Sequence, residues 1–177
     1  MAELVIRTAT LADLETVKDI LAECQRLLLA EGIRQWADQY PTEGDIRAGV
    51  EAGMTYLLLR RGEPVATVAV EQDTPPQVRD LPWLTAPPQR FLMVHRLAVL
   101  PQHRGRGYAK RLMGFLEDLA LAERCASLRL GVYSDNPAAL GLYERLGYQR
   151  IGQVVMPYRE RPFICMEKLL GPAARPR

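Results

Sequence analysis

A strand, a glycine loop and a helix in direct succession constrain this chain more than anything else in it. Residues 91–100 form an almost unbroken apolar run, and Pro101 closes it. Gln102-His103-Arg104-Gly105-Arg106-Gly107 then leads into an amphipathic helix over 108–124, with Leu112, Leu116, Leu119 and Ala120 on one face. Glycine takes backbone angles closed to other residues and lets a ligand approach the main chain. The unbonded N–H groups at a helix start, with the dipole behind them, favour an anion. Arg104 and Arg106 add two forked cations. The pattern predicts a pyrophosphate site; a plain strand-to-helix turn with exposed arginines is the bland reading of the same residues.

The other elements follow from periodicity and punctuation. Residues 4–7 read as an edge strand. Thr10 and Asp13 mark a helix start, after which Leu14, Val17, Leu21, Cys24 and Leu28 recur at the steps of three and four that bury one face; Gly32 stops it. Thr42 with Asp45 marks a second cap and a short helix to about residue 51. Residues 54–60 and 64–72 are β-rich and joined by a hairpin at Arg61-Gly62-Glu63. Residues 128–133 form a strand, Asn136-Pro137 opens a helix that Gly147 ends, and 149–156 and 162–169 are two last strands. The order β-α-α-β-β-β-α-β-α-β-β describes one mixed α/β sheet of about six to seven strands with about four helices. Between 73 and 90, Pro75, Pro76, Pro82, Pro87 and Pro88 surround Trp83 and forbid a regular element. Loops of that length in a compact domain are functional or mobile.

Composition narrows the classes. With 177 residues, 48% hydrophobic, the chain can build a core without disulfides or metal, and a net charge of only +2 argues against disorder. Twenty arginines outnumber three lysines, a bias that often reflects genome composition, yet acids balance them; a nearly neutral surface is a poor footprint for general nucleic-acid binding. No uncharged stretch reaches the roughly 18 residues of a membrane span, and no signal peptide is evident. Cys24, Cys125 and Cys165 have no zinc or redox spacing and read as small buried residues in a reducing compartment, the cytoplasm. No metal-ligand spacing involves His95 or His103. One domain over 1–170 and a patternless, disordered tail over 171–177 are expected.

Three nucleotide motifs compete for the loop. A P-loop needs four residues between its glycines, and fails. A dinucleotide fingerprint needs a third small residue where Lys110 stands, although Asp135 could serve as its ribose-binding acid. The third fits. Leu97-Ala98-Val99-Leu100-Pro101-Gln102-His103-Arg104-Gly105-Arg106-Gly107-Tyr108 resembles the acetyl-CoA motif of the GCN5-related N-acetyltransferases, a strand followed by Q/R-x-x-G-x-G/A and a helix. Asn136 to Tyr148 resembles the same family's N-x-x-A-x-x-L-Y-x-x-x-G-F/Y signature. The resemblance implies a single-domain fold of that type and acetyl-CoA as cosubstrate.

It also implies roles. Leu97, Ala98 and Val99 would offer backbone to the pantetheine arm, with the Val99 N–H facing the thioester oxygen. Amides from about Gln102 to Tyr108, through His103, Arg104, Gly105, Arg106 and Gly107, would hold the pyrophosphate. Asn136 would contact the cofactor or a water. Tyr143 is the family's usual general acid, since a phenol titrating near 10 stays protonated at neutral pH. His95 shares strand parity with Leu97 and Val99, and an imidazole suits proton removal from an ammonium. The similar arylalkylamine N-acetyltransferases use a His in this His-x-Leu-Ala-Val context but carry a second two residues earlier, where this chain has Met93. Glu71 is the other candidate base, and a structural His95 is the bland reading.

In the family the first two helices and the loop before the central strand choose the acceptor. Trp36, Tyr40 and Trp83 stand there and could pack against an aliphatic or aromatic amine, or face a cation; equally, they pin loops to the core. The expected acceptor is a primary amine on a small molecule or peptide, acetylated directly in a ternary complex because no cysteine adjoins the motifs. No nucleic-acid or membrane partner is expected, and dimers are common in the family. A nicotinamide-dependent oxidoreductase using Gly105, Gly107 and Asp135, or a non-catalytic acyl-CoA-binding domain, are the alternatives.

Overall fold

A computed structural model describes residues 3–36, 40–157 and 159–171; the tail expected from residue 171 lies outside them except for Gly171. The elements are β1 (Leu4–Thr8), α1 (Leu14–Ala30), α2 (Glu43–Glu51), β2 (Thr55–Arg60), β3 (Glu63–Glu71), β4 (Arg90–Val99), α3 (Tyr108–Ala122), β5 (Cys125–Tyr133), α4 (Pro137–Arg145), β6 (Gln149–Val154) and β7 (Phe163–Leu169). The strands hydrogen-bond in the order β1-β2-β3-β4-β5-β7-β6, the mixed α/β sheet the sequence implies. Two compact units divide the chain: Met1–Val70 with His95–Met113, and Glu71–Val94 with Gly114–Arg177. Among the described residues no helix is long and apolar enough to cross a membrane.

In the first unit β1 is the edge strand, antiparallel to β2 from Leu4↔Arg60 to Thr8↔Tyr56. The β2–β3 hairpin closes on two residues, Arg61 (φ 53°) and Gly62 (φ 84°), rather than the expected three. Positive φ at both is what a type I′ turn requires, because its twist matches that of the strands. A 3₁₀ turn, Leu11–Asp13, precedes α1. The Asp13 carboxylate accepts from the Thr10 N–H at 2.8 Å and from the Arg7 guanidinium at 2.7 and 2.8 Å, so one acid satisfies a helix start and a strand cation. The apolar face of α1 includes the five expected residues and Ile20, and packs on Trp36, Ile46, Val50, Leu57 and Ala98. Burying each such large side chain contributes roughly 1.5–3 kcal/mol. Thr42 caps α2, its Oγ1 accepting from the Asp45 N–H at 3.1 Å.

In the second unit β4 and β5 run parallel, from Arg90↔Cys125 to Val94↔Leu130. β7 pairs antiparallel with β5 on one side and β6 on the other. The proline-rich segment holds one 3₁₀ turn, Pro76–Val78, and packs down: Val78, Met93 and Cys165 form a small core with Leu81, Trp83, Phe91 and Val154 around it. A Cβ at Gly152 would stand 3.0 Å from Leu81, so β6 admits the loop by lacking a side chain there. All three cysteines are buried and free.

Candidate functional site

The first cluster begins within β4. Arg96 has φ 52°, a conformation that costs an L-residue with a Cβ roughly 1–2 kcal/mol. Its side chain is what compensates. The buried guanidinium donates to the Tyr40 hydroxyl at 3.0 Å and lies over that ring, 5.9 Å from its centre. Space for it comes from Gly49 on α2, where a Cβ would meet Arg96 Nη2 at 3.1 Å. Around this kink exposure alternates: His95, Leu97 and Val99 are half-buried while Arg96 and Ala98 are buried, in keeping with the shared parity of the first three. The Val99 carbonyl accepts from the Cys24 thiol of α1 at 3.2 Å.

The loop after β4 is a 3₁₀ turn, Pro101–His103, followed by an exposed arc over 104–107. Gly105 and Gly107 have φ 74° and 78°, and nothing lies within 4 Å of where a Cβ would be on either. Their role is therefore conformation and open space, not packing. The Arg111 N–H bonds the Gly107 carbonyl at 3.0 Å, so the amides of Tyr108, Ala109 and Lys110 precede the first acceptor the helix can offer them. Arg106 is exposed. Arg104 reaches Glu31 at 3.4 Å; both side chains are more than 40% exposed, so the pair is worth little and does not hold the cation away from an anion. His103 packs against Tyr108, ring centres 6.2 Å apart. Gln102 is exposed. Open glycines, helix-start amides and two cations fit a diphosphate.

The second cluster follows β5. Asn136 caps α4, its Oδ1 accepting from the Ala139 N–H at 3.1 Å, and Pro137 sits where a missing N–H costs nothing. Tyr143 is buried on α4, edge-on to Tyr148 with centroids 5.8 Å apart. Burial pushes its phenol up to about 12. Burial also raises Tyr148, with the Glu117 carboxylate next in effect; its hydroxyl donates to Glu117 at 3.5 Å. Gly147 (φ 89°) closes the helix as the glycine stop predicts, the Tyr148 N–H returning to the Tyr143 carbonyl at 3.0 Å. Asp135, the ribose acid of the nicotinamide reading, pairs at the surface with Arg161 at 3.4 Å.

The three aromatic residues assigned to the acceptor go to different places. Trp36 lies in the first unit's core, 5% exposed, its carbonyl taking a bond from the Gln25 amide. Tyr40 is half-buried on Arg96. Trp83, in the second unit, donates to the Val78 carbonyl at 2.9 Å and lies 4.5 Å from the Arg129 guanidinium carbon. That arginine and Glu167 were not singled out from the sequence. Charges inside apolar strands, Leu128-Arg129-Leu130 and Cys165-Met166-Glu167, were the available signal. For the kink at Arg96 the sequence holds no comparable signal.

The model of the acetyltransferase (GNAT) family matches residues 14–148, and the chain belongs to that family. It is an acetyl-CoA-dependent N-acetyltransferase, which sets aside the nicotinamide-dependent and non-catalytic alternatives. Solved structures share the fold. A GNAT-family acetyltransferase from Streptococcus agalactiae is 23% identical with a TM-score of 0.80, covering 95% of this chain and 96% of its own. YncA from Salmonella typhimurium, solved with its cofactor acetyl-CoA, is 20% identical with a TM-score of 0.70, covering 99% and 98%. The ribosomal-protein-S18-alanine N-acetyltransferase from Escherichia coli is 17% identical with a TM-score of 0.70, covering 96% and 95%. The family acts on amines of small molecules or proteins.

Proposed function

We propose that this acetyltransferase moves the acetyl group directly to a primary amine of a small molecule or peptide, with Tyr143 as the proton donor to the departing sulfur. Acetyl-CoA supplies a thioester whose carbonyl carbon is open to attack. Leu97, Ala98 and Val99 hold the pantetheine arm through their backbone, and the amides over 102–108 hold the diphosphate. His95 takes the proton the amine loses as its nitrogen bonds to the carbonyl carbon; Glu71 or a water is the alternative base. Tyr143 gives its proton to the sulfur as the C–S bond breaks. Asn136 supports the cofactor end, and Tyr40 and Trp83 are the aromatic residues offered to the acceptor; the core position of Trp36 suits packing.

The observation that carries this reading is the burial of Tyr143, which keeps its phenol protonated and pushes it up to about 12. An ordinary thiol titrates near 8.5, so a donor this weak is mismatched to a solvated thiolate. Desolvation raises thiols too, however, as it raises Cys24 and Cys165 in this protein to about 11. A sulfur leaving in a dry site is brought toward the phenol by the same physics. The test is Tyr143→Phe with acetyl-CoA and a panel of primary amines, following thiol release. Turnover is expected to fall by a factor of about 100 or more while the acetyl-CoA Kd stays within about twofold. Undiminished turnover would remove Tyr143 from the chemistry.

A further inference from the structure

We propose that Cys24 is a positioning residue for acetyl-CoA: its thiol fixes the peptide plane that joins the pantetheine strand to the phosphate loop. The inference rests on the cosubstrate lying along Leu97 to Val99 and the loop, as proposed above.

The peptide between Val99 and Leu100 is held at both ends. Its carbonyl accepts from Cys24 Sγ on α1 at 3.2 Å, and its amide, the Leu100 N–H, donates to the Val65 carbonyl at 3.0 Å. The next carbonyl, that of Leu100, takes the His103 N–H at 2.8 Å, and Pro101 then starts the turn with a fixed φ. A helix, two strands and a turn thus converge on one peptide plane. On its N-terminal side is the backbone offered to pantetheine; on its C-terminal side are the amides offered to the diphosphate. A rotation of that plane would change the direction of the Val99 carbonyl and the path into Gly105 and Gly107. Hydrogen bonds in a chain polarise one another, so each bond in the S–H···O=C–N–H···O=C sequence strengthens the other.

Cys24 is 2% exposed and stands in the core face of α1, where an apolar residue of its size would pack equally well. What an apolar residue could not do is donate to the Val99 oxygen. Burial raises this thiol to about 11, so it keeps its proton, and its donor, across the range in which the enzyme would be assayed.

The distinction between packing and positioning is experimental. Cys24→Ala removes the donor, whereas Cys24→Ser keeps one but fills an apolar site less well. A positioning role predicts that Ala raises the acetyl-CoA Kd and KM by roughly two- to fivefold, the worth of one weak hydrogen bond, with kcat changed less than KM. Ser is expected to recover most of that loss although it is the less stable of the two variants. A packing role predicts the reverse order, with Ser hurting acetyl-CoA binding more than Ala does, and that result would overturn the proposal. Infrared difference spectra of wild type against Cys24→Ser isolate the S–H band of Cys24 in the wild-type protein itself. The Cys24 S–H stretch is expected at the lowered frequency of a bonded thiol, and a free-thiol band overturns the proposal. If wild type does not take up acetyl-CoA in calorimetry, the cosubstrate reading fails and this inference with it. If wild type binds and Cys24→Ala binds equally well, the inference alone fails.

Discussion

Arg129 on β5 and Glu167 on β7 face each other directly across the antiparallel register, with Arg129 Nε 3.1 Å from Glu167 Oε1. Their side chains are 6% and 0% exposed, and the neighbourhood satisfies both. Glu167 also accepts from the Ser127 and Thr85 hydroxyls and the Leu84 amide; Arg129 also bonds the Thr85 carbonyl at 2.6 Å and lies 3.9 Å from the Phe91 ring centre. Leu84 and Thr85 belong to the proline-rich segment, so this pair is what fastens that segment to the sheet of its unit.

Removing one partner leaves a buried, uncompensated charge. Arg129→Met alone is expected to cost about 3–5 kcal/mol in urea denaturation, whereas Arg129→Met with Glu167→Leu should recover only part of it, because the Ser127 and Thr85 hydroxyls and the Leu84 amide lose their acceptor. Limited proteolysis adds a positional check: cleavage between residues 73 and 90 should rise in Arg129→Met. A single variant as stable as wild type would show that the pair is dispensable.

The open space around Gly107 separates backbone strain from crowding. Gly107→Ala adds a methyl that meets nothing, so its cost is that of holding a Cβ at φ 78°, about 1 kcal/mol in thermal unfolding. Acetyl-CoA binding should weaken by more than that, because the methyl occupies the surface offered to the diphosphate. Calorimetric titration against the measured stability loss distinguishes the two effects.

Asp13 is a pH-dependent tie. Its bond to Arg7 holds the carboxyl well below the usual carboxylate range, helped by Thr10. A depressed carboxylate contributes stability that is complete above its unfolded value, about 3.9, and is lost as pH falls below that. Asp13→Asn is therefore expected to cost about 1 kcal/mol at neutral pH, the size of a lost cap. From about pH 4 downward the gap between variant and wild type should shrink, closing only as pH falls to the depressed range of the folded carboxyl, which stability measured as a function of pH would show.

For His95, the pH–rate profile is the deciding measurement. With His95 taking the amine proton, kcat/KM of wild type climbs with pH through the imidazole range, and His95→Gln loses that climb along with a factor of about 100 in rate. A profile that keeps its shape in the variant hands the role to Glu71 or to water.

Much of this was legible in the sequence because single residues announce it. Thr10, Thr42 and Asn136 mark helix starts, Gly32 and Gly147 mark stops, and one face of α1 was readable from spacing alone. The glycine loop could be placed because a strand signal precedes it and a helix signal follows. The position of β7 between β5 and β6 could not be read, since chain order favours consecutive neighbours and β5 pairs with β7 past the intervening β6. Nor could Arg96, whose left-handed backbone depends on Tyr40 and on the space at Gly49, both distant in sequence. The core site of Trp36 was equally opaque: composition says that a tryptophan will be partly buried, not against what.

The interposed β7 also sets an order of events during synthesis. β6 leaves the ribosome before β7, yet its hydrogen-bonding neighbour is β7, and β7 is likewise the outer neighbour of β5. Until residues 163–169 have emerged, β6 has no strand to join and β5 presents an open edge. Nascent chains stalled before Phe163 should therefore expose one unpaired strand and one open sheet edge at once, the condition under which edge-to-edge aggregation competes with folding.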